Sequence, residues 1–166
     1  MKSAIVYYSR AGENYVDGKI EVLNKGNTEK AAEVIHEITG APAFKLEQEK
    51  PYEEEYNACI REAQEDLRNH RRPALKKMPP LSEDLEVLYL GYPNFWGTLP
   101  MAVLTFLEHY DWEGKIIRPF CTNEGSGLGR SLADIRAAAP KAVVAEGLSI
   151  HGGNIRKEEA ERWCRQ

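Results

Sequence analysis

Five times along this chain a short apolar run, rich in β-branched and aromatic residues, gives way to a stretch with helical periodicity. The runs are Ala4–Tyr8, Ala43–Glu47, Leu85–Gly91, Lys115–Cys121 and Ala142–Leu148. No other feature constrains the fold as strongly, because parallel strands need a crossover connection and a helix is the usual one. The alternation predicts an α/β chain, doubly wound, with helices on both faces of a parallel sheet. Ligands of such sheets bind beyond the carboxyl ends of the strands, where the winding direction reverses. Loops that follow strands are therefore the places where function is expected.

Three of those loops are unusual. The first offers Ser9 and Arg10 and then, after an excursion, Asn27 and Thr28, with Gly12 and Gly26 between them. A helix start with free backbone N–H groups and flanking hydroxyls is an anion site. A plain helix start at Thr28 accounts for the same residues. The GxxxxGK[ST] signature is absent, which argues against a nucleoside triphosphate with magnesium. Within the excursion, Asp17-Gly18 separates Asn14-Tyr15-Val16 from Lys19-Ile20-Glu21-Val22, the pattern of a tight turn. A small β-hairpin is expected across Glu13–Lys25.

The loop after the third run, Tyr92–Pro100, sets Phe95 and Trp96 among turn formers beside Asn94 and Thr98. Two large aromatics at a strand-to-helix junction suit a flat ligand, with packing against a neighbouring loop as the alternative. The loop after the fourth run carries Thr122, Asn123 and Ser126 among Gly125, Gly127 and Gly129. That many glycines suggest close backbone approach to a ligand, or simply a turn. Phosphate, ring and ring edge would each find a partner on one rim.

Elsewhere the residues set limits. A chain of 166 residues is expected to form one domain, residues 1–166, with the excursion as an insertion in its first loop. A formal net charge of −4 argues against nucleic acid as a general partner. The basic stretch Arg68–Lys77 has no interleaved aromatics and reads as a solvated helix end and loop. No apolar run is long enough to span a bilayer, so no membrane partner is expected, and the start does not read as a signal peptide. Cys59, Cys121 and Cys164 are widely spaced with no CxxC pair, which predicts reduced thiols in a cytoplasmic protein and no metal site. Cys121, at a strand end, is the thiol to examine for nearness to a ligand. A long helix is expected over Tyr52–Arg72, and Asn27 or Thr28 as the cap of the helix before it. Pro119 weakens its own strand, since proline cannot donate to a ladder.

Tyr7-Tyr8-Ser9-Arg10-Ala11-Gly12, the delayed Gly26-Asn27-Thr28-Glu29, Pro93-Asn94-Phe95-Trp96-Gly97-Thr98 and Thr122-Asn123-Glu124-Gly125-Ser126-Gly127 resemble the three cofactor loops of the flavodoxins. The similarity runs from the first strand to the last helix. It implies a five-stranded parallel sheet of order 2-1-3-4-5 and bound FMN. It implies phosphate contacts from Ser9, Arg10, Ala11, Asn27 and Thr28. Ring contacts are implied for Pro93, Asn94, Phe95, Trp96, Gly97 and Thr98, and for Thr122, Asn123, Glu124 and Gly125 opposite. The family's unbroken hydroxyl-x-Thr-Gly-Asn-Thr pattern is interrupted here by Glu13–Lys25, and Ala11 stands where a hydroxyl is usual. Arg10 is a candidate for a charge on the phosphate, and Glu124 for negative charge near the reduced flavin.

The resemblance implies an electron carrier whose partner is a redox protein or a small acceptor such as a quinone or flavin, acting as monomer or homodimer, with no catalytic side chain. An FMN-dependent NAD(P)H:quinone or flavin reductase of the same fold is the enzymatic alternative. Phe95 and Trp96 favour the carrier, and the mild net charge favours the reductase. Gly125-Ser126-Gly127-Leu128-Gly129-Arg130 with Glu146 loosely follows a dinucleotide fingerprint, but Arg130 takes the third glycine's place. A module of this fold without flavin is a further alternative. Hydrolase chemistry is disfavoured, since Ser126 lies outside GxSxG and His36, His70, His109 and His151 pair with no nucleophile.

Overall fold

The computed structural model describes residues 1–166. The elements in chain order are β1 (Ser3–Tyr8), β2 (Gly12–Val16), β3 (Lys19–Leu23), α1 (Asn27–Thr39), β4 (Ala43–Leu46), α2 (Tyr56–Arg68), β5 (Val87–Pro93), α3 (Met101–Leu107), β6 (Ile116–Asn123), α4 (Ser131–Ala138), β7 (Val143–Val144), β8 (Leu148–His151) and α5 (Lys157–Cys164). The sheet runs β4-β1-β5-β6-β7, with β8 also on β6, and every pairing in it is parallel. It is a flavodoxin-like α/β arrangement.

The sheet has six strands rather than the expected five, and the reason lies in β6. Ile117 pairs with Val144 of β7, and Phe120 pairs with Leu148 of β8. Between them, Arg118 and Pro119 of β6 face the three residues Ala145–Gly147. The Ala145 N–H donates to Ile117 O at 2.9 Å, so Ile117 points its polar groups to this side, and by alternation Pro119 does too. Proline has no N–H to give there, and the final strand is cut into β7 and β8 opposite it. Pro119 thus leaves its own strand intact and breaks its neighbour.

Two-residue alternation divides the core. Ala4, Val6, Tyr8, Leu88, Leu90 and Tyr92 pack on one face with α3 and Ile135 of α4. Ile5, Val87, Tyr89 and Phe120 pack on the other with Ala31, Ala32 and Ile35 of α1 and with Ala160 and Trp163 of α5. Leu67 of α2 joins the first face. Helix α2 is shorter than the expected Tyr52–Arg72; His70, at φ 50°, turns the chain away just past its end. Helix α1 opens on extended Gly26 rather than on a side-chain cap from Asn27 or Thr28, and closes at left-handed Gly40, whose N–H returns to His36 O at 2.8 Å.

Strands β2 and β3 form a separate antiparallel ribbon, Gly12↔Leu23 to Val16↔Lys19. Asp17 and Gly18 at its tip both take positive φ, 50° and 83°, as a two-residue I′ turn requires.

Gly91 of β5 sits against the Phe120 ring so closely that a Cβ would penetrate it. Gly91→Ala is expected to destabilise the protein by about 1–3 kcal/mol through overpacking. Adding Phe120→Leu should restore part of the loss, measured as the midpoint of urea unfolding.

Candidate functional site

Strands β1, β5 and β6 end level at one edge of the sheet, since Tyr7 pairs with Gly91 and Pro93 with Thr122. Their loops surround a cavity of about 400 Å³, the one place where most of the expected site residues meet. Ser9, Arg10, Asn27, Thr28, Pro93, Asn94, Phe95, Trp96, Gly97, Thr122, Asn123 and Glu124 all line it. Ala11, Thr98 and Gly125 do not. Ala11 turns into a neighbouring cleft, and Thr98 is fully buried with its hydroxyl donating to the Asp134 carboxylate. Gly125 has open space at its Cα and serves the backbone path of its loop, at φ 107°.

One end of the cavity is polar. The first N–H groups of α1 have no acceptor within the helix. Ser9 Oγ accepts from Glu29 N at 3.1 Å and ties the first loop to that helix start. The Thr28 and Thr122 hydroxyls meet at 2.7 Å, one donating to the other, and join the first loop to the third across the sheet edge. A helix N-terminus flanked by hydroxyls favours an anion. Arg10, expected as a charge on the phosphate, lines the cavity with its guanidinium anchored on backbone carbonyls. Its guanidinium donates to the carbonyls of Glu13, Glu53 and Glu54, bracing the first loop against the approach to α2.

The opposite end is apolar and aromatic. Phe95 N–H donates to Thr98 O at 2.7 Å and Thr98 N–H to Phe95 O at 3.2 Å, closing a two-residue turn. Trp96 and Gly97 are its central residues, at φ 56° and 84°. A left-handed tryptophan is unusual and held by its surroundings. Its Nε1 donates to Ile60 O of α2 at 2.8 Å, so the indole, 45% exposed, spans the cavity mouth. Phe95 packs edge-on against Tyr8, centroids 5.9 Å apart.

Both loops are held by their own side chains. Asn94 Oδ1 accepts from Gly97 N, while its Nδ2 donates to Gly127 O, each at 2.9 Å. Asn123 Oδ1 accepts from Gly125 N and Gly127 N at 2.9 and 3.0 Å, and its Nδ2 donates to Ser149 Oγ at 2.9 Å. Those two N–H groups are therefore taken up within the loop and are not free for a ligand. Gly129 answers to packing as well: a Cβ there would strike the Gly97 carbonyl, and the Arg130 N–H donates to that carbonyl at 2.8 Å. The glycines set one loop on another, which removes the basis for the dinucleotide fingerprint.

Ser126 lines the cavity too, and several lining residues escaped the sequence reading: Asn14 and Tyr15 of β2, Tyr56, Cys59, Ile60 and Ala63 of α2, and Gly152. Ser126 stands in a loop already singled out. The one signal for the α2 group was its thin apolar stripe, which equally serves the core. Cys121, the thiol flagged for nearness to a ligand, is fully buried away from the cavity, and Cys59 lines it instead. Burial pushes the Cys59 thiol up, against the pull of the Arg10 guanidinium beside it. Burial raises Cys121 to about 12 and Cys164 to about 11.

An anion-favouring helix start and an aromatic wall, joined in one cavity at the carboxyl edge of a doubly wound parallel sheet, define a protein that holds a phosphorylated, flat ligand. The chain belongs to the flavodoxin family, whose model matches residues 22–166. No curated protein matches it. Among solved structures it is similar to a provisionally assigned flavoprotein from Bacteroides eggerthii, at 23% identity and TM-score 0.81 over 99% of this chain and 96% of that one. A flavoprotein from Lactobacillus acidophilus, solved in complex with FMN, gives 17% identity and TM-score 0.69 over 98% of each chain. A Streptococcus pneumoniae flavodoxin gives 14% and 0.56 over 98% and 94%. At these identities the likeness is one of fold.

The thiols give a direct check of the local environments. At pH 8, partly exposed Cys164 should be alkylated by iodoacetamide first, Cys59 more slowly and Cys121 only on unfolding, followed by peptide mass spectrometry. Labelling of Cys121 as fast as Cys164 would contradict its burial.

Proposed function

We propose that the cavity binds FMN and that the protein carries electrons through it. The observation that carries this reading is the union of the α1 N-terminus and the aromatic wall in one cavity. The residues fit the group. Ser9, Asn27, Thr28 and Thr122 surround the end suited to a phosphate, while Phe95, Trp96, Tyr56 and Ile60 offer apolar surface for a ring. When bound, FMN supplies the reversible uptake and release of electrons. The protein's part is to hold and shield it. The braced Asn94 and Asn123 loops fix the walls before the ligand arrives, which reduces the ordering cost of binding. The wall formed by Trp96, Tyr15 and Tyr56 keeps water and small reactants from the ring.

That cover favours the carrier over an NAD(P)H-dependent quinone or flavin reductase, which needs room above the ring for a second substrate. The electron partner in this reading is a redox protein, with a small quinone or flavin as the alternative acceptor. No helix is long and apolar enough to cross a membrane. The three free cysteines accord with a reducing cytoplasm.

The purified protein is expected to take up one FMN, turning yellow, and to be reduced only slowly by NADH or NADPH under anaerobic conditions unless a partner reductase is added. Rapid reduction by either nucleotide alone would establish the reductase. Trp96→Ala should weaken FMN binding about tenfold or more, read by the quenching of flavin fluorescence. Absence of any FMN uptake would overturn both readings.

A further inference from the structure

The ribbon β2–β3 pairs with no strand of the main sheet, yet it is fastened on both sides of the cavity. At its base Glu13 Oε1 accepts from Tyr56 N at 3.0 Å, at the start of α2. Tyr15 stacks on Tyr56, with ring centroids 5.9 Å apart and planes 29° from parallel. At its tip the Asp17 N–H donates to Glu124 Oε1 at 2.7 Å, in the loop after β6. The other oxygen of Glu124 is enclosed without a hydrogen-bond partner; His151 Nε2 lies 3.8 Å from it and 3.7 Å from Asp17 Oδ1. One fastening lies on α2 and the other on the β6 loop, so the ribbon crosses between them. Asn14 and Tyr15 line the cavity beneath it. The Asn14 Nδ2 donates to Arg10 O and Gly12 O at 3.0 and 3.2 Å, leaving its Oδ1 as an acceptor for a hydroxyl of the ligand.

We propose that this ribbon is a strap across the cavity, that Asn14 and Tyr15 are ligand contacts, and that Glu124 is the positioning residue that latches the strap. The identity of the ligand rests on the flavin reading; the latch does not. Glu124 thus acts on the ribbon rather than on the electronics of a flavin.

Two measurements on the full chain test this. In the protein without ligand, Glu124→Ala should raise amide hydrogen exchange at Asp17 about tenfold and sensitise the Asp17–Gly18 turn to proteolysis. Exchange unchanged from wild type overturns the latch, whatever the ligand. In the FMN-loaded protein, Glu124→Ala and Tyr15→Ala should each release FMN about tenfold faster, while the ligand-free variants unfold at midpoints near wild type because the ribbon lies outside the sheet. FMN release unchanged in both Ala variants overturns the strap as a ligand contact. If wild type takes up no FMN, the flavin reading and the contacts fall together, while the exchange measurement still decides the latch.

Discussion

The bare Cα of Gly91 lies against the ring of Phe120, and the level ends of two strands follow from that contact. β5 is buried almost from end to end, flanked by β1 and β6 in parallel. A parallel sheet covered on both faces tolerates little freedom of register, because a one-residue slip would exchange its inward sets of side chains. With Gly91 opposite Phe120, Pro93 comes level with Thr122, and with Tyr7 opposite Gly91 the first loop begins beside them. Three loops thus open at the same height, and a cavity between them follows from the register of the sheet.

What those loops then do is mostly decided by their own amides. Asn94 and Asn123 each bridge a turn to a neighbouring segment, and Asn123 gathers two glycine N–H groups onto one oxygen. A glycine-rich loop is entropically expensive to order. Here the side chain of one asparagine supplies the order. At the anion end the helix start and its hydroxyls favour an anion through backbone groups. Negative charge at Glu124 lies at the edge of the cavity, facing the hairpin tip.

The sequence disclosed what depends on periodicity and turn chemistry. The alternation of strands and helices, the Asp17-Gly18 hairpin and the three loops at one edge were all legible, because each rests on local pattern. Contacts made across the fold were not. Pro119 looked like a flaw in its own strand, and its effect fell on the neighbour, which only the facing of its N atom explains. Arg10 read as a free cation near an anion site, but three backbone carbonyls, two of them over forty residues away in sequence, claim it. Tyr56, Cys59 and Ile60 looked like a thin core stripe on a helix, and nothing local said that this helix leans over the cavity. Thr98 shared a motif with Trp96, but the I′ turn sends it inward to Asp134.

The hairpin shows why such contacts decide function as well as shape. A two-stranded ribbon standing alone is marginal in water, and this one leaves Ile20 and Val22 47% and 72% exposed. Its own side chains bury too little apolar area to offset the entropy of ordering twelve residues. Inserting them costs little as loop length, because closure entropy grows slowly; keeping them in one place requires partners. Those partners are Tyr56 on one side of the cavity and Glu124 on the other. Order in the ribbon and closure over the cavity are therefore the same equilibrium, and any ligand touching Asn14 and Tyr15 shifts it by whatever those contacts contribute. An insertion that would be dispensable as structure thereby becomes coupled to what the cavity holds.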